Sequence, residues 1–168
     1  AKVSAMASGT INGTTYFANY HHVMEKAFGD DLRWFAWSDK GLNPYGNSIL
    51  ANGAFLEKNP GVVERAVKVL QRAHLYCAEN PVECVEVLPQ YASGLVVEGE
   101  QANWNVTIRL MSDEFSTTKG LGYFDPDRIA ADYELVSTYF DIAEPFDPAT
   151  IYTNEFIDPS VVMFKVEE

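Results

Sequence analysis

Among the residue types that do acid–base, nucleophilic or metal chemistry, the scarcest in this 168-residue chain are three histidines, His21, His22 and His74, and two cysteines, Cys77 and Cys84. His21 and His22 are adjacent, and helical neighbours point about 100° apart, so such a pair rarely shares one metal. The two read as a solvated or capping pair. His74 falls on an apolar helix face and reads as a core histidine with its hydrogen bonds met. No GxSxG, HExxH or P-loop pattern occurs. The glycines of "KGLGYFD" precede a helix but lack the strand and spacing of a dinucleotide fingerprint. Cys77 and Cys84 flank "AENPVE", and no second Cys or His pair completes a zinc site. Two readings stand for them. They are partly buried free thiols, or they form a small disulfide across the Asn80-Pro81 corner. The second needs α-carbons within about 7 Å and an oxidising compartment.

Aromatic and amide residues give the stronger signal. Tyr16, Tyr20, Trp34, Trp37 and Tyr45 gather in the first third of the chain, and Asn19, Asn43 and Asn47 lie among them. Aromatic faces stack planar molecules, and amides fix their orientation. The stretch "GLNPYGNSILAN" at residues 41–52 combines both, directly after the apolar run Trp34-Phe35-Ala36-Trp37. Lys40 is the only cation in residues 34–57, so a planar, largely uncharged ligand fits this region better than an anion. Trp34 and Phe35 read as core. Trp104 begins the stripe Trp104–Ile108–Met111–Phe115 and reads first as core, with a ligand wall as the alternative.

These residues must be positioned by an alternation of helices and strands. Val3, Met6 and Ala7 pattern a short helix that Gly9 stops, and "TTYF" follows as a strand. "HHVMEKAFG" reads as a helix with Val23, Met24 and Ala27 inward, and "DLRWFAWS" as a strand. "NSILANGAFLEKN" gives a strand and a connector. Such alternation argues for α/β architecture. Asn59-Pro60, Asn80-Pro81 and Asp125-Pro126 each place a capping side chain before a proline, the signature of a helix start. The first opens a long helix with Val63, Val67, Leu70, His74 and Cys77 on one face. The third opens one with the stripe Ile129, Tyr133, Val136 and Phe140, and Trp104 to Phe115 lines a further helix. The second half is therefore helix-rich, and the tail "PFDPATIYTNEFIDPS" reads as loop.

Composition sets the outer bounds. A hydrophobic fraction of 47% with 21% charged residues is ordinary for one globular domain. The net charge of −12 disfavours nucleic acid and anionic membrane surfaces, which the field repels. No apolar run reaches the roughly 20 residues of a membrane span. No signal peptide opens "AKVSAMASG", a stretch that need not be the native N-terminus.

Three blocks, "KVSAMASGTINGTTY", "NSILANGAFLEKNP" to "NPVE", and "IYTNEF", resemble the periplasmic substrate-binding proteins of ABC importers. Within them the nearest branch is the one related to hydroxymethylpyrimidine synthase, the eukaryotic thiamine-pyrimidine enzyme. The resemblance implies an α/β, two-lobed type II binding-protein fold. Residues 1–45 would be the tail of the second lobe and 46–168 the returning part of the first, in the C-terminal portion of a longer protein. It implies a small-molecule ligand and the membrane subunits of an importer as partners. It implies a periplasmic location, free or lipid-anchored at the outer face of the cytoplasmic membrane. The cleft would be bordered by Asn43, Pro44, Tyr45, Gly46, Asn47 and Ser48, with Tyr16, Asn19 and Trp104 as further ligand residues. Tyr45 would pack on the ligand ring, Gly46 would admit a close backbone approach, and Asn47 and Ser48 would hydrogen-bond. The enzyme carries a cysteine-rich motif just before the segment matching "SIL", where this chain has Asn-Pro-Tyr-Gly-Asn. That departure favours a binding protein with no cofactor and no metal over an iron- and pyridoxal-dependent enzyme. A third reading is a non-binding interaction domain. Unpaired strand edges further predict a two-fold homodimer.

Overall fold

The computed structural model describes residues 2–166. Among the described residues eight α-helices order the chain: α1 (Lys2–Ala7), α2 (His21–Phe28), α3 (Gly53–Lys58), α4 (Pro60–Glu79), α5 (Pro81–Val87), α6 (Val97–Met111), α7 (Glu114–Thr118) and α8 (Pro126–Tyr139). The Asn59-Pro60, Asn80-Pro81 and Asp125-Pro126 helix starts are all observed, but the Asn59 and Asn80 amides, expected to cap the following helix, donate backward to the Phe55 and Tyr76 carbonyls. Asp125 accepts a hydrogen bond from the Asp127 N–H in its cap role. Gly9 and Gly29 follow α1 and α2 with positive φ, as helix-ending glycines do. Residues 112–113 interrupt the Trp104–Phe115 stripe. Asp113 caps α7 and exchanges hydrogen bonds with Ser116, so a new helix begins there.

The described residues are helix-rich and carry no β-strand, so the sheet expected of an α/β chain is not displayed. "TTYF", "RWFAW" and "NSILAN" run without ladder partners, and residues 53–58 form α3, capped by the Asn52 side chain, where a connector was expected. The physical reason is that β-propensity needs a second edge to receive its N–H and C=O groups. Trp34 and Phe35, expected in the core, are 43% and 77% exposed. Ala27 also faces out, whereas Met24 is buried as expected. No described helix is long and apolar enough to cross a membrane.

Contacts divide the chain into two units. The first takes residues up to Trp34 together with Tyr76–Leu110. Its buried apolar residues are Met24, Ala78, Val85 and Ile108. A disulfide joins Cys77 and Cys84 across the α4–α5 corner, with α-carbons 5.5 Å apart, which decides between the two readings of these thiols.

The second unit takes Phe35–Leu75 and residues from Met111 on. Leu121, Val161 and Met163 are buried there, and the hub is polar. Gln71, on the inner face of α4, donates to the Leu121 carbonyl at 2.9 Å and to the Asp158 carbonyl at 3.3 Å, and accepts from the Asp158 N–H at 2.9 Å. The apolar stripe read for α4 is therefore rotated from the observed inner face. Leu70 and His74 lie outside it and are exposed. A periodicity count passes over a glutamine whose buried amide is fully bonded. Beside the hub, Gly120 takes φ +129°, and a Cβ there would meet Ile157 Cγ2 at 2.5 Å. Only glycine lets these two loops approach so closely. The stripe of α8 keeps Ile129 and Tyr133 half-buried but leaves Val136 and Phe140 exposed. Tyr133 instead meets Phe146 edge-on at 4.8 Å and accepts its N–H through the phenol oxygen.

Candidate functional site

In the second unit the 43–48 loop is tied to the start of α8. The Tyr45 hydroxyl accepts the Asp125 N–H at 2.7 Å, one of the helix-start donors with no partner inside the helix. Arg128, in the first turn, lays its guanidinium 3.9 Å from the Tyr45 ring centroid. The same guanidinium donates through Nε to the Asn43 carbonyl, and through Nη2 to Asn43 Oδ1 and the Pro44 carbonyl. Phe124 meets Tyr45 edge-on at 5.0 Å, and Asn154 fixes Phe124 by bonding both its N–H and its carbonyl at 2.8 Å. Burial raises the Tyr45 phenol above its usual range, and the Asp125 N–H and the Arg128 charge only partly offset this.

Tyr45 is thus engaged by the protein's own guanidinium, on a face that the resemblance assigns to a ligand ring. The cation count around the loop changes as well, because Arg128 arrives from 85 residues away in sequence. Its position, three residues after the Asp125 cap, marked it as a first-turn residue. Nothing in the sequence marked its partner. Asn43, Pro44, Gly46, Asn47 and Ser48 are exposed, and among the described residues the Asn47 and Ser48 side chains take no hydrogen bond. An open cleft of about 550 Å³ in this unit is lined by Ser112, Asp113, Glu114, Thr117, Lys165 and Val166, among others, and by none of the residues singled out from sequence.

Tyr16, Asn19 and Trp104 belong to the first unit. Tyr16 packs edge-on against Tyr20, with centroids 6.4 Å apart, and the Lys2 ammonium lies 5.8 Å from its centroid. The Asn19 amide donates to Asn103 Oδ1, and the Asn103 amide donates to Glu100 Oε2 at 3.0 Å. Trp104 Nε1–H donates to the Cys77 carbonyl at 2.8 Å, in the last turn of α4, so its indole closes a helix end.

His21 and His22, read as solvated or capping, are half-buried, and no side chain caps α2. His21 lies 4.8 Å from the Trp34 ring, and its Nδ1 is 3.5 Å from Glu25 Oε1. His22 stacks on Tyr20 at 6.3 Å. Among the described residues, His21 Nε2 and His22 Nδ1 are buried with no hydrogen-bond partner. Sequence reasoning passed over these two nitrogens, because adjacency argued only against a shared metal. Among the described residues no group of three His, Cys, Asp or Glu side chains could hold a metal ion. His74 is exposed, and its Nδ1 lies 2.8 Å from the Leu70 carbonyl.

No curated protein and no solved structure matches the chain. One family model does, described as NMT1/THI5 like, over residues 1–84. That span includes Tyr16, Asn19, the 43–48 loop and both cysteines, and it ends before Trp104 and Arg128. It takes in the first two of the three resembling blocks and leaves out "IYTNEF". Because the match covers half of the chain, the protein is a member of the NMT1/THI5 like family.

Proposed function

We propose that this protein binds a small planar heteroaromatic ligand of the pyrimidine type, as the substrate-binding component of an ABC importer, and is not an enzyme. The observation that carries the reading is the pair of buried nitrogens with no hydrogen-bond partner among the described residues, His21 Nε2 and His22 Nδ1, on rings that meet Trp34 and Tyr20 respectively. A buried nitrogen left unbonded costs about 1–3 kcal/mol. A ligand N–H or hydroxyl would satisfy it while the neighbouring rings take the ligand's faces. Family membership supports the reading further. The Cys77–Cys84 disulfide supports a periplasmic or membrane-anchored extracytoplasmic location. The same reading carries the two-lobed architecture, in which residues 14–17, 32–37 and 47–52 acquire strand partners.

Calorimetric titration with hydroxymethylpyrimidine, and with methanesulfonate as a non-aromatic anion, tests the proposal. Binding of the pyrimidine alone is expected. His21→Phe keeps a ring beside Trp34 and removes Nε2, and should weaken binding by about 1–3 kcal/mol. No heat with the pyrimidine, or unchanged affinity in His21→Phe, defeats the reading.

A further inference from the structure

Two residues of the segment that carries the unbonded histidine nitrogens meet one ridge of α6. A Cβ on Gly99 would lie 3.9 Å from His22 Nε2, and Asn103, one turn further along, holds the Asn19 amide. Asn19, Glu100 and Asn103 are all half-buried. An asparagine amide has donors at one end and an acceptor at the other, so its partners set which end points where. Here the series of partners ends on a group with no choice. Glu100 Oε2 accepts from Asn103 Nδ2 at 3.0 Å, and a carboxylate has only acceptors to offer. Asn103 therefore turns its NH2 to Glu100 and its Oδ1 to Asn19. Thr107 Oγ1, 3.3 Å from the same Oδ1 and 2.9 Å from the Asn103 carbonyl, holds that side chain from the next turn. Asn19 in turn donates through Nδ2, so Oδ1 is the end it presents away from Asn103. Among the described residues Asn19 Oδ1 takes no hydrogen bond, and it is not closed off from solvent.

We infer that Glu100, acting through Asn103, is a positioning residue that sets the polarity of Asn19, so that this edge of the candidate site accepts a hydrogen bond from its ligand and gives none. What occupies the site rests on the proposed ligand reading; the polarity of Asn19 does not. A ring that turns an amino group to Asn19 is satisfied there. The same ring with a carbonyl in that place sets one oxygen against another and leaves both unbonded, which is how a polar site rejects a near-isostere.

The probes are 4-aminopyrimidine and 4-pyrimidinone, titrated calorimetrically into the whole chain. The amino ring should bind about tenfold or more tightly. Glu100→Gln keeps the size of the side chain and adds a donor end, so Asn103 and Asn19 are free to reverse together. The gap between the rings should then shrink to within about threefold, with circular dichroism unchanged. Glu98→Gln, an exposed charge loss in the same turn of α6, should leave the gap as it was. The Asn19 side-chain amide resonances read the polarity with no ligand present. The bonded Nδ2 proton should lie downfield in the parent and in Glu98→Gln, and move toward the free-amide position in Glu100→Gln. Equal affinity for the two rings in the parent, a gap that Glu100→Gln leaves intact, or an Asn19 resonance that does not move overturns the inference. Neither ring binding defeats the ligand reading instead, and the amide shift then decides the polarity by itself.

Discussion

Replacing Gln71 with leucine should destabilise the second unit, although leucine is the more apolar residue and the site is only 5% exposed. The substitution removes three hydrogen bonds, to the Leu121 carbonyl, the Asp158 carbonyl and the Asp158 N–H. The bond to Leu121 is buried, so that carbonyl loses its donor without gaining water, at about 1–3 kcal/mol. The two groups on Asp158 are part-buried, and losing each bond costs about 0.5–1 kcal/mol. Burying the leucine side chain returns about 1 kcal/mol, less than the full transfer value because it sits among polar groups. The net expectation is a loss of about 2–3 kcal/mol, or roughly 5–10 °C for a chain of this length. Urea unfolding followed by circular dichroism should show a lower midpoint with an unchanged slope. The loss should extend to the candidate site, since residue 121 lies just before the segment carrying Phe124, Asp125 and the Tyr45 bond. Amide exchange at residues 121–125 should therefore accelerate. A Gln71→Leu protein within about 0.5 kcal/mol of the parent, or more stable than it, would refute the account of Gln71 as a bonded hub.

Arg128→Ala removes the guanidinium over Tyr45 and its bonds to Asn43 and Pro44. A loss of about 1–2 kcal/mol is expected, with faster amide exchange at residues 41–47. Unchanged exchange there would mean that the loop holds itself. Replacing both Cys77 and Cys84 with serine opens the covalent loop and should cost about 2–3 kcal/mol by chain entropy. Thermal melts with and without reductant check this, and parental melts insensitive to reductant would contradict it. Burial raises the Asp132 carboxyl above its usual range, with Arg128 offsetting part of the effect. The folded chain then binds this proton more tightly than the unfolded chain, so stability falls as pH rises through the folded value. Asp132→Asn should thus be more stable than the parent at neutral pH, and the gain should vanish in acid. A pH-independent difference between the two proteins would dispose of that assignment.

Helix starts were legible because they rest on local chemistry. Asn59, Asn80 and Asp125 before prolines mark them, and Pro60, Pro81 and Pro126 are the first residues of α4, α5 and α8. Proline cannot continue a preceding helix and is pre-set for the first position of the next, and at Asp125 the cap bond adds to this, so a short window contains the signal. The cysteine corner was legible only in part: the sequence left free thiols and a disulfide both open, and the turn between α4 and α5 brings the α-carbons to 5.5 Å. Strands were not legible in the same sense. "RWFAW" has the composition of a strand, yet Phe35 and Trp37 stand exposed, because a ladder is a property of two segments and composition describes one.

For the candidate site the division runs through individual residues. The sequence by itself determined the family and the polar-aromatic character of the 43–48 loop. It also determined that the loop carries no cation of its own beyond Lys40 nearby. Only the tertiary structure decided that Arg128 covers Tyr45 and that Trp104 closes the end of α4. It also decided that, among the described residues, His21 and His22 each keep a buried nitrogen without a hydrogen-bond partner. Propensity and capping are fixed by near neighbours in the chain. Partners 27 or 85 residues apart are fixed by how helices dock, and that depends on every side chain in the interface at once.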